Sequence, residues 1–195
     1  MGKGTYNIVK RNGDNTIRQN VHKLLEIQDP YNVIVISADY HIHFEIPKLD
    51  DIEKFVNLEE LYIYEGVVDT KKLSGLTKLK KLYIDSNVID TLEGLENLTE
   101  LVELDVSNNM LISIDNIKNL TKLEKLCIGH NEIDSISCLS EMVNMRELYC
   151  GSNKLTSLNG IQKMRKLEIL RVKENNIGSF GEIVNCVNLK IFSHD

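Results

Sequence analysis

Five asparagines, Asn87, Asn109, Asn131, Asn153 and Asn175, stand at a strict interval of 22 residues. Each lies in the same setting of leucine-like residues. A fixed period of this length marks a solenoid, in which a single repeat cannot bury its apolar face alone and must stack on its neighbours. Any account of function therefore becomes an account of one repeated surface.

The repeats align without gaps. Segments begin at Leu79 (LKKLYIDSNVI), Leu101 (LVELDVSNNML), Leu123 (LEKLCIGHNEI), Met145 (MRELYCGSNKL) and Leu167 (LEILRVKENNI). All follow L-x-x-L-x-L-x-x-N-x-L, with Met145, Val106, Cys150 and Val172 as apolar replacements. Pairs such as Leu82/Ile84 and Leu126/Ile128 alternate with polar residues, which predicts a short strand with one buried face. Successive strands stack in parallel at roughly 4.8 Å. The asparagine follows the strand where the chain turns away, and its amide can both donate to and accept from backbone groups left unpaired there. A ladder of amides inside the coil is the expectation.

The second half of each repeat places apolar residues at every third position, as in Leu92, Leu95 and Leu98 or Ile114, Ile117 and Leu120. That spacing suits 3₁₀ turns, whose side chains eclipse at i and i+3. About eleven residues remain for each return arm, too few for a helix of ordinary length plus its connections. The repeated order resembles that of the leucine-rich-repeat proteins. Its 22-residue length is similar to the subclass typified by the regulatory subunit of type-1 protein phosphatase. The resemblance implies an α/β solenoid: a right-handed superhelix with a curved parallel β-sheet on its concave face and 3₁₀ turns and loops on its convex face.

Two domains' worth of residues thus reads as one elongated array. Residues 33–195 form the repeat domain, with six to seven repeats and the last incomplete. The segment from Leu58 keeps Leu61 and Ile63 but carries Gly66 where the asparagine belongs, and it is one residue short. Val33 to Ser37 is a β-branched run consistent with a first strand. Residues 1–32 fall outside the pattern and are either an N-terminal cap or a partly disordered leader. Within them Asn20 to Glu26 predicts a short helix and Asp29 to Asn32 a turn. Asn188 to Ser193 starts another strand, which is either the cap itself or the lead into further repeats.

Composition narrows the partner class. A net charge of −6 argues against a nucleic-acid backbone as main partner, since that needs a basic face. No apolar run reaches transmembrane length, and the first residues lack an apolar signal region. Tyr6 occupies the position where a myristoylation signal wants Ser or Thr. The four cysteines lack metal-ligand spacing, and Cys150 and Cys186 fall in leucine columns. A cytoplasmic, or nuclear, monomer with reduced thiols and no cofactor is expected. His41 and His43 read as surface histidines without a third ligand, and the Cys127/His130 pair lacks an orienting group for nucleophilic chemistry.

Binding is then expected on the residues the pattern leaves free. The strand positions facing the concave side supply Tyr62, Tyr64, Glu65, Tyr83, Asp85, Asp105, Asn108, Cys127, His130, Tyr149, Arg171 and Lys173. Tyrosine offers large contact area with few rotamers and is enriched at binding hot spots, and the acidic surround of Tyr62, Tyr64 and Tyr83 favours a partner with Lys or Arg. Gly129 and Gly151 predict a shallow depression beside Cys127, His130 and Tyr149. The family resemblance implies a non-catalytic protein–protein interaction module, with a phosphatase-regulatory scaffold as one version. The alternative is an extracellular adhesin or host-recognition protein of internalin type.

Overall fold

The computed structural model describes residues 5–12, 15–21, 30–39, 51–64 and 68–194. Among these residues the backbone forms one ten-stranded sheet. The strands are β1 (Thr5–Asn12), β2 (Asn15–Val21), β3 (Val33–Asp39), β4 (Glu60–Tyr62), β5 (Lys81–Tyr83), β6 (Glu103–Asp105), β7 (Lys125–Cys127), β8 (Glu147–Tyr149), β9 (Ile169–Arg171) and β10 (Ile191–Ser193). They lie in the order β10-β9-β8-β7-β6-β5-β4-β3-β1-β2. From β3 to β10 every pairing is parallel, whereas β1 runs antiparallel to both β3 and β2.

Each repeat contributes a strand of only three residues, with its middle leucine-like side chain buried. Leu61, Leu82, Leu104, Leu126, Leu148 and Leu170 therefore pair side by side across successive strands and are buried to within 1%. The return arms close by repeated i→i+3 bonds. Leu95 N–H donates to Leu92 O (3.1 Å), Leu98 to Leu95 (3.0 Å) and Leu101 to Leu98 (3.0 Å), and the same series recurs in the next repeats. Five 3₁₀ segments result, at Ile52–Lys54, Thr70–Leu73, Asp115–Ile117, Ser137–Glu141 and Gly181–Asn185. The three-residue spacing of the leucines is thus the period of the 3₁₀ turn itself. Thr70 stands where later repeats have an apolar residue. It is buried, and its hydroxyl donates to Glu93 O at 2.8 Å and Thr91 O at 3.2 Å.

The asparagine ladder is continuous. Asn131 Nδ2 donates to Ile128 O (3.1 Å) and Gly129 O (3.2 Å) of its own turn and to Val106 O (3.0 Å) of the preceding one. Its Oδ1 accepts from Leu111 N–H at 3.0 Å. Asn109, Asn153 and Asn175 repeat the arrangement. The residue before each asparagine has a left-handed backbone: Ser86 (φ 56°), Asn108 (53°), His130 (54°), Ser152 (55°) and Glu174 (56°). That conformation turns the chain out of the strand while its N–H still reaches the next strand, as in Asn108 N–H to Gly129 O at 2.9 Å and His130 N–H to Gly151 O at 3.0 Å.

Residues before β3 depart from one expectation. Asn20 and Val21 belong to β2, not to a helix, and pair with Asn7 and Tyr6 of β1. The β-branched Thr16, Ile17 and Val21 favour a strand, and β1 offers an open edge to pair with. The rest of the helix expectation, from His22 to Glu26, lies outside the described residues, as do Glu65, Gly66, His41 and His43. Pro30–Asn32 makes a 3₁₀ turn, in line with the turn expected there. No helix among the described residues is long and apolar enough to cross a membrane.

Candidate functional site

Because the strands are parallel and in register, each outward position becomes a column with one residue per repeat. The central column runs Ser37, Tyr62, Tyr83, Asp105, Cys127, Tyr149, Arg171 and Ser193. One flank runs Val35, Glu60, Lys81, Glu103, Lys125, Glu147 and Ile169. The alternating charge of that flank decides where the tyrosine hydroxyls go. Tyr62 and Tyr149 have a glutamate two residues earlier on their own strand, and they donate to Glu60 (2.7 Å) and Glu147 (2.9 Å). Tyr83 has Lys81 there instead, so it donates across to Glu103 of the next strand. Lys81 lies between the two carboxylates, 3.9 Å from Glu60 and 3.5 Å from Glu103.

The rings are ordered as well. Tyr62 and Tyr83 stack with centroids 5.1 Å apart and planes 20° from parallel. Lys125 Nζ stands 6.0 Å from the Tyr83 centroid and the Arg171 guanidinium 5.8 Å from that of Tyr149, within range of cation–π attraction. Burial, then the glutamate partner, raises the phenol pKa of Tyr62, Tyr83 and Tyr149, so all three hydroxyls remain donors at neutral pH.

A second cluster sits beside the stack. Tyr64 follows Tyr62 by two residues and Asp85 follows Tyr83, while Asp105 pairs directly across from Tyr83. Asp85 accepts from Ser86 Oγ at 3.1 Å. Asp105 accepts from Ser107 N–H at 3.0 Å and Ser107 Oγ at 2.5 Å. Burial, and then the charge of Asp105, pushes the Asp85 carboxyl above its ordinary value. Cys127 is pushed up to about 12 by burial and by Asp105, so it is a thiol at neutral pH, not a thiolate.

The remaining expected residues are spread out. Asn108 and His130 are exposed and occupy the left-handed turn position, where Asn and His are among the better tolerated side chains. Gly129 and Gly151 leave bare backbone: a Cβ would meet the next strand's carbonyl at 3.3 Å and 3.1 Å respectively. Arg171 and Lys173 are exposed at the far end of the face.

Two features went unread in the sequence. Val88 (67% exposed), Met110 (58%) and Ile112 (69%) are exposed apolar side chains just past the asparagine turns, detectable only as apolar residues at positions the repeat leaves free. At the last repeat, Phe180 packs edge-on to Phe192 at 5.2 Å, and His194 lies 4.9 Å and 4.8 Å from their rings. Phe180 and His194 line a small cleft with Val172, Asn175, Asn176 and Ile177.

A family model described as leucine-rich repeats (two copies) matches residues 99–141. No curated protein matches the sequence. Among solved structures, an internalin from Listeria monocytogenes is 22% identical with a TM-score of 0.73, over 78% of this chain and 46% of that one. Internalin C2 from the same organism is 20% identical with a TM-score of 0.66, over 86% and 83%. A leucine-rich-repeat protein of Leptospira interrogans is 28% identical with a TM-score of 0.67, over 77% and 40%. The chain thus spans less than half the length of the first and third of these. Register, asparagine ladder and comparisons agree that the protein folds as a leucine-rich-repeat solenoid, with family repeats recognised in residues 99–141.

Proposed function

We propose that the chain is a non-catalytic module that binds a partner protein on its concave face, with Tyr62, Tyr83 and Tyr149 as anchors. The supporting observation is their pre-organisation. Each hydroxyl is held by a glutamate, and two of the rings already stack. Ordered aromatic side chains lose little entropy on binding, which is the property of a hot spot. Leucine-rich-repeat proteins generally mediate protein–protein interaction, and a phosphatase-regulatory scaffold acting as a cytoplasmic monomer is the finer version of the reading. The wider surface takes in Tyr64, Asp85, Asp105, Asn108, Cys127, His130, Arg171 and Lys173.

The test is affinity capture by the wild type and by the triple variant Tyr62→Ser/Tyr83→Ser/Tyr149→Ser, with thermal melts to verify folding. Loss of the captured protein with the fold retained is the expected result. An unchanged capture by a folded triple variant sinks the concave-face reading. Incubation with purified type-1 phosphatase examines the finer version directly.

A second reading has the fold likeness to two internalins in its favour: a recognition protein acting outside the cell. Fractionation of the native host separates the two, since an extracellular pool of the protein supports only the second.

A further inference from the structure

We infer that the partner offers a basic segment, and that one of its cationic side chains docks between Asp85 and Asp105, beside Tyr64. The inference rests on the concave-face reading above and deepens it.

The observation behind it is an imbalance of charge. Several carboxylates of the solenoid are paired with cations of adjacent repeats. Lys81 serves Glu60 and Glu103, Lys80 lies 2.9 Å from Glu59, and Lys122 lies 2.7 Å from Glu100. Arg146 and Lys190 together clamp Glu168 at 3.0 Å and 2.6 Å. Asp85 and Asp105 are half-buried neighbours whose charges repel, and neither has such a cation. Among the described residues no lysine, arginine or histidine lies within ion-pair reach of either. Their hydrogen bonds come from serines and backbone, and from the Cys127 thiol at Asp105. Tyr64, partly buried beside them, donates to no group among the described residues.

Partly desolvated like charges with no counter-ion cost the folded chain stability, and a cation from outside relieves that cost. The setting suits a guanidinium in particular. Its planar fork can donate to two carboxylates at once. The pair sits in open, outward positions of the sheet, and the chain's net charge of −6 steers a basic segment toward it.

Hexa-arginine peptide is the probe, titrated by calorimetry into the wild type and into the isosteric variant Asp85→Asn/Asp105→Asn. Asp90→Asn/Asp134→Asn, two exposed aspartates on the turns away from the strands, removes the same charge elsewhere. The expected result is a loss of at least about tenfold in affinity for the concave pair and less than about twofold for the control. Equal weakening by the two variants, or none by either, overturns the inference, because binding then follows net charge alone or ignores these carboxylates. Melting curves must show the concave variant at least as stable as the wild type, and a variant that is less stable also counts against the proposed imbalance. The tyrosine triple variant is read separately in affinity capture. If it keeps its captured protein, the concave-face reading fails, whatever hexa-arginine does.

Discussion

Replacing Asn131 by alanine is the sharpest test of how the coil is held together. The side chain is 7% exposed and makes one accepted and three donated contacts, between 3.0 and 3.2 Å. The losses are unequal. Val106 O keeps a second donor in Asn109 (3.1 Å), and Ile128 O keeps one in Asn153 (2.9 Å). The buried Leu111 N–H, whose hydrogen bond is to Asn131 Oδ1, has no such reserve. An orphaned buried donor costs about 1–3 kcal/mol, and the lost donations add roughly 1 kcal/mol, so Asn131→Ala should cost about 2–4 kcal/mol. Urea unfolding followed by far-ultraviolet circular dichroism measures this. Asn175→Ala should cost less, because its side chain is partly exposed and water can serve the freed groups.

Asn131→Asp sharpens the argument. It keeps the acceptor for Leu111 but sets an anionic oxygen against three carbonyls. The folded state then favours the protonated acid, so its pKa rises above the unfolded value. With more protons bound when folded, stability is greatest at low pH and falls as pH climbs from about 4 towards the raised folded value. If Asn131→Ala costs under about 1 kcal/mol, or Asn131→Asp shows no such pH dependence, the ladder is decoration and the reasoning fails.

Three further outcomes follow from single residues. Asp85 has a raised carboxyl pKa, so its charge weakens the fold progressively as pH rises from the unfolded value through the folded one. Asp85→Asn should gain less than about 1 kcal/mol at pH 7, the group being only partly buried and screened, and the gain should vanish near pH 3 in paired melts. Gly160 has φ 122°, and an added Cβ would sit 2.1 Å from Ile136 O; Gly160→Ala should cost about 2 kcal/mol or more, whereas Gly178→Ala, with open space around it, should stay within about 0.5 kcal/mol. His130→Gly should raise stability by up to about 1 kcal/mol by relieving the left-handed backbone, while His130→Val should lower it.

The fold was legible because buried positions recur and bury the same group each time. Leu82, Leu104, Leu126 and Leu148 pair with one another across the sheet, so one aligned column in the sequence is one line of contacts in space. The site was less legible, since outward residues carry no such repetition. Nothing local shows that Tyr83 reaches Glu103 while Tyr62 turns to Glu60. That difference depends on Lys81 holding the flank position of the same strand, a fact visible only once the register is known. Asn108 and His130 show a constraint of another kind: the turn before the ladder asparagine takes a left-handed backbone, which Asn and His tolerate better than most side chains.

The sheet also explains why two tyrosines in neighbouring repeats behave as one feature. Parallel strands stand about 4.8 Å apart, and side chains at paired positions leave the sheet in the same direction. The Tyr62–Tyr83 centroid distance of 5.1 Å is therefore little more than the strand spacing itself, tilted by 20°. Stacking here requires no special packing, only two tyrosines in one column with hydroxyls anchored by Glu60 and Glu103. The column then continues to Asp105, so the aromatic surface ends at a carboxylate. In the docking inferred above, the stack forms a rigid border and Asp85 and Asp105 supply the charge.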